Sequence, residues 1–258
     1  MKRNVHYSQL LISVFGLFMF INISVAQDID SIPVLNYRQQ HSIPNEVTQF
    51  DEAITLFKSN NNLISLARVY EGKGKLLEEH ALSASIEYYE KALEIYTELS
   101  EEESVTRLTS ILASSYYYLD DYNNSLVHYY KLLSIYNEDQ DTFKIAQTHS
   151  SMGSLYDDLH QSELSIKHQK IALELCIQLD SKRGIAAISN NIAGLYEEID
   201  CLSLAFDCVR AAEKINLDMD NQYWLSINYM QYADFYSILG QYDSTRYYLL
   251  KSNMYTNE

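Results

Sequence analysis

Two acidic pairs, Asp157-Asp158 and Glu197-Glu198, stand forty residues apart and are the side chains best placed to do chemistry. Paired carboxylates serve either as the acid and base of a hydrolase or as a fixed negative surface that attracts cations. The hydrolase reading finds no company around them: the chain has no Gly-rich phosphate loop, no HExxH and no GxSxG pattern. Metal chemistry fares no better. His128 and His168 share a column one repeat apart, and packed helices hold equivalent atoms about 10 Å from each other. Zinc needs each nitrogen at about 2 Å, so the two cannot share an ion. His160 beside Asp157, Asp158 and Glu163 reads as a solvated turn. The three cysteines, Cys176, Cys201 and Cys208, are odd in number and form no CxxC pattern. Seven residues of helix separate Cys201 from Cys208, about 10 Å of rise, which exceeds the roughly 7 Å limit of a disulfide. They read as small buried hydrophobes. No cofactor and no metal is expected, and catalysis is disfavoured.

The same forty-residue step organises the elements that must carry these residues. Tyr116, Tyr156, Tyr196 and Tyr236 form a ladder. Three residues before each stands a small residue, Ala113, Gly153, Ala193 and Ala233; three after each stands Leu119, Leu159, Ile199 or Leu239. A fixed period of this size means a repeat architecture. The composition agrees with helices: the 258 residues include 7 Gly and 2 Pro, and both prolines precede residue 45. The spacing predicts a lone helix over 46–58, then helix pairs. A first pair holds 63–70 and about 81–99; the others are 104–119 with 122–137, 142–159 with 162–179, 182–199 with 202–217, and 222–239 with 242–256. Second helices carry their own column of mostly small residues at Ser85, Ser125, Ser165, Ala205 and Thr245. In the first pair Ala67 and Tyr70 repeat the small-x-x-Tyr spacing six residues early, so the Gly72-to-Leu82 connection reads as carrying about six extra residues.

Residues 1–26 read as a secretory signal peptide: Lys2 and Arg3, the apolar run Leu10 to Ile23, then Ser24-Val25-Ala26 before a cut at Gln27. An uncleaved membrane anchor is the runner-up, and either places the body outside the cytoplasm, periplasmic or extracellular. Residues 27–45 read as a linker and 46–258 as the repeat domain. Of 19 basic residues the cut removes two, leaving 17 against 35 acidic and a net charge of −18. Such a surface repels phosphate backbones, so nucleic acid is excluded as a partner and basic proteins or peptides fit.

The small-x-x-Tyr ladder, the Gly240-Gln241-Tyr242 turn and the segment Ile86-Glu87-Tyr88-Tyr89-Glu90-Lys91-Ala92-Leu93 resemble the tetratricopeptide repeat (TPR) family over 46–258. The family's usual repeat is about 34 residues; here it is forty, and its Trp column reads Thr109, His149, Ser189 and Tyr229. The resemblance implies an all-α, right-handed α-solenoid of antiparallel helix pairs, about five repeats plus one N-terminal helix. It implies that first helices line a concave binding face. That face would present Tyr117, Tyr118, Asp157, Asp158, Asn190, Asn191, Glu197, Glu198 and Asp234. Asp157-Asp158 would stack on Glu197-Glu198 as an acidic strip, with Asn190 and Asn191 offering amides to an extended peptide. Capture of a C-terminal carboxylate is disfavoured, since only Arg107 supplies a cation. The function implied is a non-catalytic scaffold for a basic or polar protein or peptide. Long repeats after an export signal look like those of bacterial sensor proteins, where a membrane helix and an output domain usually follow. A truncated or split sensor module is therefore an alternative, and an unrecognised hydrolase a remoter one. The last helix, with Tyr247, Tyr248, Leu249, Leu250 and Tyr255, reads as an uncapped end open to a homodimer or a partner.

Overall fold

A computed structural model describes residues 43–256, and the signal-peptide region lies outside the described residues. Helix α1 (Ile43–Ser59) belongs to one compact unit. It begins inside the expected linker, with Pro44 in its first turn, where a missing N–H removes no helical bond. The second unit starts at Asn62. It holds ten helices in five consecutive pairs: α2 (Leu63–Leu77) with α3 (Leu82–Glu98), α4 (Glu102–Tyr118) with α5 (Tyr122–Glu138), and α6 (Thr142–Asp158) with α7 (Ser162–Gln178). Next come α8 (Lys182–Glu198) with α9 (Leu202–Asp218), and α10 (Gln222–Ile238) with α11 (Tyr242–Thr256). No strand occurs among the described residues.

From α3 to α10 every helix has 17 residues, and successive helices start 20 residues apart. The turns set this step. Ser100, Asp120, Gln140, His160, Asp180, Asp200, Asp220 and Gly240 all adopt positive φ. The next N–H then donates back to the carbonyl five residues earlier, as from Asp121 to Tyr116 at 2.9 Å and Gln161 to Tyr156 at 2.8 Å. This is the Schellman ending, and the ladder tyrosines supply the carbonyls that close it after first helices. Short polar Asp tolerates the left-handed region. Asp121, Asp141, Ser181 and Asn221 then cap the following helix by accepting an N–H three residues on. A turn such as Asp120-Asp121 therefore ends one helix and begins the next. Tyr96 and Tyr136 occupy the ladder position on second helices, so the ladder has a half-step that the forty-residue period concealed.

Within each pair the small column brings backbones together. Ala113, Gly153, Ala193 and Ala233 are buried. The opposing column adds a bond: Ser125 Oγ donates to the Ala113 carbonyl and Ser165 Oγ to that of Gly153, both at 2.7 Å. The first pair makes the same bond from Ser85 Oγ to Gly74, again at 2.7 Å. This corrects the register read from sequence. Gly74, not Ala67, is the small residue of the first pair, because α2 continues through Gly72 and Gly74 to Leu77. The bonded residues lie 11 apart there against 12 in later pairs, so the connection is one residue shorter rather than six longer.

Between pairs, three of the ladder tyrosines reach back 26 residues to the previous second helix. Tyr116 Oη bonds Glu90, Tyr156 Oη lies 3.2 Å from Tyr130 Oη, and Lys170 Nζ sits 5.7 Å from the Tyr196 ring centre. Tyr236 stacks on Tyr248 of α11 with ring centres 5.4 Å apart. Phe206 shows how one pair caps another, packing on Tyr232, Phe235 and Tyr236. Arg246 holds the corresponding place on α11. The outward stripe of α11 is instead apolar: Tyr247, Leu250 and Met254 are 57%, 58% and 73% exposed. On α3, α7 and α9 those positions carry Glu87, Glu90, Glu94; Lys167, Lys170, Glu174; and Asp207, Arg210, Lys214.

Candidate binding face of the first helices

Helices α2, α4, α6, α8 and α10 are the first members of their pairs, and side chains tie each to the next. Arg107 of α4 pairs with Glu71 of α2. Tyr117 Oη donates to Asp158 Oδ2 at 2.5 Å, joining α4 to α6. Asp157 of α6 faces Glu198 of α8. Asn228 Nδ2 of α10 donates to Asn190 Oδ1 of α8 at 2.7 Å, and Gln231 Nε2 to the Asn190 carbonyl at 3.0 Å. Helices α8 and α10 also touch directly across the intervening α9.

These links correct the expected stacking. Tyr117 meets Asp158 and Gln231 meets Asn190 at a step of 41 residues, and Asp157 with Glu198 follows the same diagonal. Asp157 and Glu198 therefore meet one position out of the forty-residue register. Glu197 lies beside Asp234 instead of stacking on Asp157.

Burial and like charge shape the electrostatics. Burial, then the Glu198 carboxylate and Asp158, push the Asp157 carboxyl up to about 7, with His160 opposing. Burial and the Asp234 and Glu198 carboxylates raise Glu197, and burial raises Asp234. Burial and the Asp158 carboxylate hold the Tyr117 hydroxyl protonated far beyond its ordinary range. Asp158, Asn191 and Glu198 are exposed; Glu197 and Asp234 are half-buried. Tyr118 is exposed and meets the Tyr117 ring edge-on, centres 5.9 Å apart.

Asn190 departs from the expected exposed amide, being only 4% exposed. It belongs to a buried relay in which Asn216 Nδ2 donates to Asn228 Oδ1 at 2.8 Å and Asn228 Nδ2 to Asn190. Sequence reasoning missed this relay; its one signal was Asn216 standing in the tyrosine column. His149, in the family's Trp column, was also missed as a partner: its Nδ1 lies 2.9 Å from His168 Nδ1. His128 and His168 do not meet; each stacks on a ladder tyrosine, Tyr116 and Tyr156. Burial first, and then neighbouring lysines and, for His168, His149, depress both imidazoles to about 4.

Pairs of antiparallel helices joined by short turns and packed in sequence define the TPR-like α-solenoid. Solved structures share it: BtubC from P. vanneervenii matches with a TM-score of 0.65 at 17% identity, over 84% of this chain and 92% of that one. Nearly identical TPR-like repeats from Podosopora anserina match at 0.58 and 13% identity, over 79% and 96%. A STAND signal transduction ATPase with a tetratricopeptide repeat sensor, from Pyrococcus horikoshii, matches at 0.57 and 17% identity, over 83% of this chain and 35% of that one. No protein-family model matches the chain, and no curated protein matches it in sequence.

Proposed function

We propose that the chain is a non-catalytic scaffold that binds a protein or peptide on the first-helix face, and that this partner is basic or polar. The carrying observation is the run of Asp157, Asp158, Glu197, Glu198 and Asp234 on α6, α8 and α10. None of them joins an ion pair found among the described residues, and three are raised by burial or by each other. A partner's guanidinium or ammonium supplies the missing charge and bonds both oxygens of a carboxylate. The test is binding of a hexa-arginine peptide to the whole chain and to a variant with Lys at 157, 158, 197 and 198. Strong binding that weakens with salt and is lost in the variant supports the reading; equal binding by both ends it.

A sensor role is the second reading, favoured by the likeness to a repeat sensor in a signalling ATPase. The exposed Tyr247, Leu250 and Met254 stripe supports a further contact there, with a second copy or another protein. Export through residues 1–26 remains part of this proposal, and N-terminal sequencing of the protein recovered from its host tests it.

A further inference from the structure

Three of the four links between first helices use a permanent donor: Arg107 to Glu71, Tyr117 to Asp158, and Asn228 to Asn190. The link from α6 to α8 has none. Asp157 Oδ1 is shut off from solvent and receives no hydrogen bond among the described residues. The group facing it is another carboxyl, Glu198. A desolvated carboxylate oxygen without a donor is costly, and a second negative charge beside it adds repulsion. One proton removes both penalties, because a carboxylic acid donates to a carboxylate in a short, strong bond. We propose that Asp157 and Glu198 share a single proton, and that this proton latches α6 to α8 in the first-helix face.

The surroundings favour the shared proton. The charged groups facing Asp157 are Glu198 from α8, Asp158 from α6 and His160 from the turn after α6. Two are acidic, and His160 alone opposes them. Asp158 is already held by Tyr117, Glu197 faces Asp234 of α10, and no ion pair among the described residues brings a cation to Asp157 or Glu198. The sign follows from Asp157 being raised from 3.8 to about 7. The latch is fully present below pH 4 and is lost as pH rises through 7. The proton is read at Asp157, the carboxyl that burial and Glu198 raise. One extension rests on the proposed function: a cationic partner replaces the proton, so its binding expels one.

Carbon-detected NMR titration of both carboxyls in the intact chain tests the latch. Asp157 titrates near pH 7 in the wild type, and Glu198→Gln lowers that titration while burial and Asp158 keep it above the ordinary carboxyl range. Asp157→Asn supplies a permanent amide donor, so the fall in melting temperature between pH 6.5 and 8.5 flattens. Asp157 titrating near 4 in the wild type, or a titration that Glu198→Gln leaves unmoved, overturns the latch. Calorimetry with hexa-arginine in buffers of different ionisation enthalpy separates the two ideas. Proton release on binding supports both. A near-neutral titration without peptide binding keeps the latch and removes the cationic partner; binding with no proton release removes the exchange.

Discussion

Ser165 Oγ and the Gly153 carbonyl meet at 2.7 Å across the α6–α7 pair, both buried. The same bond joins Ser85 to Gly74 and Ser125 to Ala113, while Ala205 cannot make it. Ser165→Ala is expected to cost about 1 kcal/mol, the net worth of a buried hydrogen bond. Ala205→Ser, in the same column, is expected to gain up to about 1 kcal/mol by bonding the Ala193 carbonyl. Guanidinium unfolding followed by circular dichroism measures both.

Two glycines on first helices make opposite forecasts. A Cβ at Gly153 would lie 2.7 Å from the Gln169 side chain, which is itself buried. One at Gly194 meets nothing within 4 Å. Gly194→Ala is therefore expected to stabilise by about 0.5–1 kcal/mol through helix propensity and chain entropy. Gly153→Ala gains the same term but loses about 1–3 kcal/mol to overpacking, a net destabilisation. A rise in melting temperature for the first and a fall for the second is the expected pair of results.

The buried asparagines are coupled. Asn228 is 0% exposed and both donates and accepts. Asn228→Ala strands the Asn216 donor and the Asn190 acceptor, at a cost of about 2–3 kcal/mol. Hydrogen exchange should show the lost protection concentrated in α8, α9 and α10.

Acid acts on a different part of the molecule from the proposed latch. His128 and His168 are neutral when folded, with pKa lowered from 6.5 to about 4. Their contribution is present above pH 6.5 and is lost as pH falls towards 4, up to about 2 kcal/mol each by pH 5. His168→Gln keeps a partner for His149 without the titration, so it should lose less stability than the wild type between pH 7 and 5 in thermal melts.

The repeat period, the helix pairs and the small column were legible because they recur, and packing imposes the same residue type at each recurrence. Two things were hidden. Ala67 and Tyr70 imitated the ladder spacing, and only the hydroxyl of Ser85 on Gly74 shows which register the backbone adopts. Asn190 looked like a groove amide because position alone cannot report that Asn228 and Gln231 cover it. The diagonal of 41 residues was equally invisible. Sequence columns count along the chain, whereas side chains meet according to how neighbouring helices lie.

The uniform joints carry a cost for assembly. With 17-residue helices and a positive-φ residue every 20 positions from Ser100 to Gly240, any pair could dock against the wrong neighbour with its backbone unstrained. The pairs differ in their core residues and in the unlike links on the first helices: an ion pair, a tyrosine on an aspartate, two facing acids and an asparagine relay. Unlike contacts of this kind disfavour a wrong neighbour, which would leave their polar groups unmatched. Making them identical would leave each joint intact and raise the yield of mispaired and domain-swapped chains.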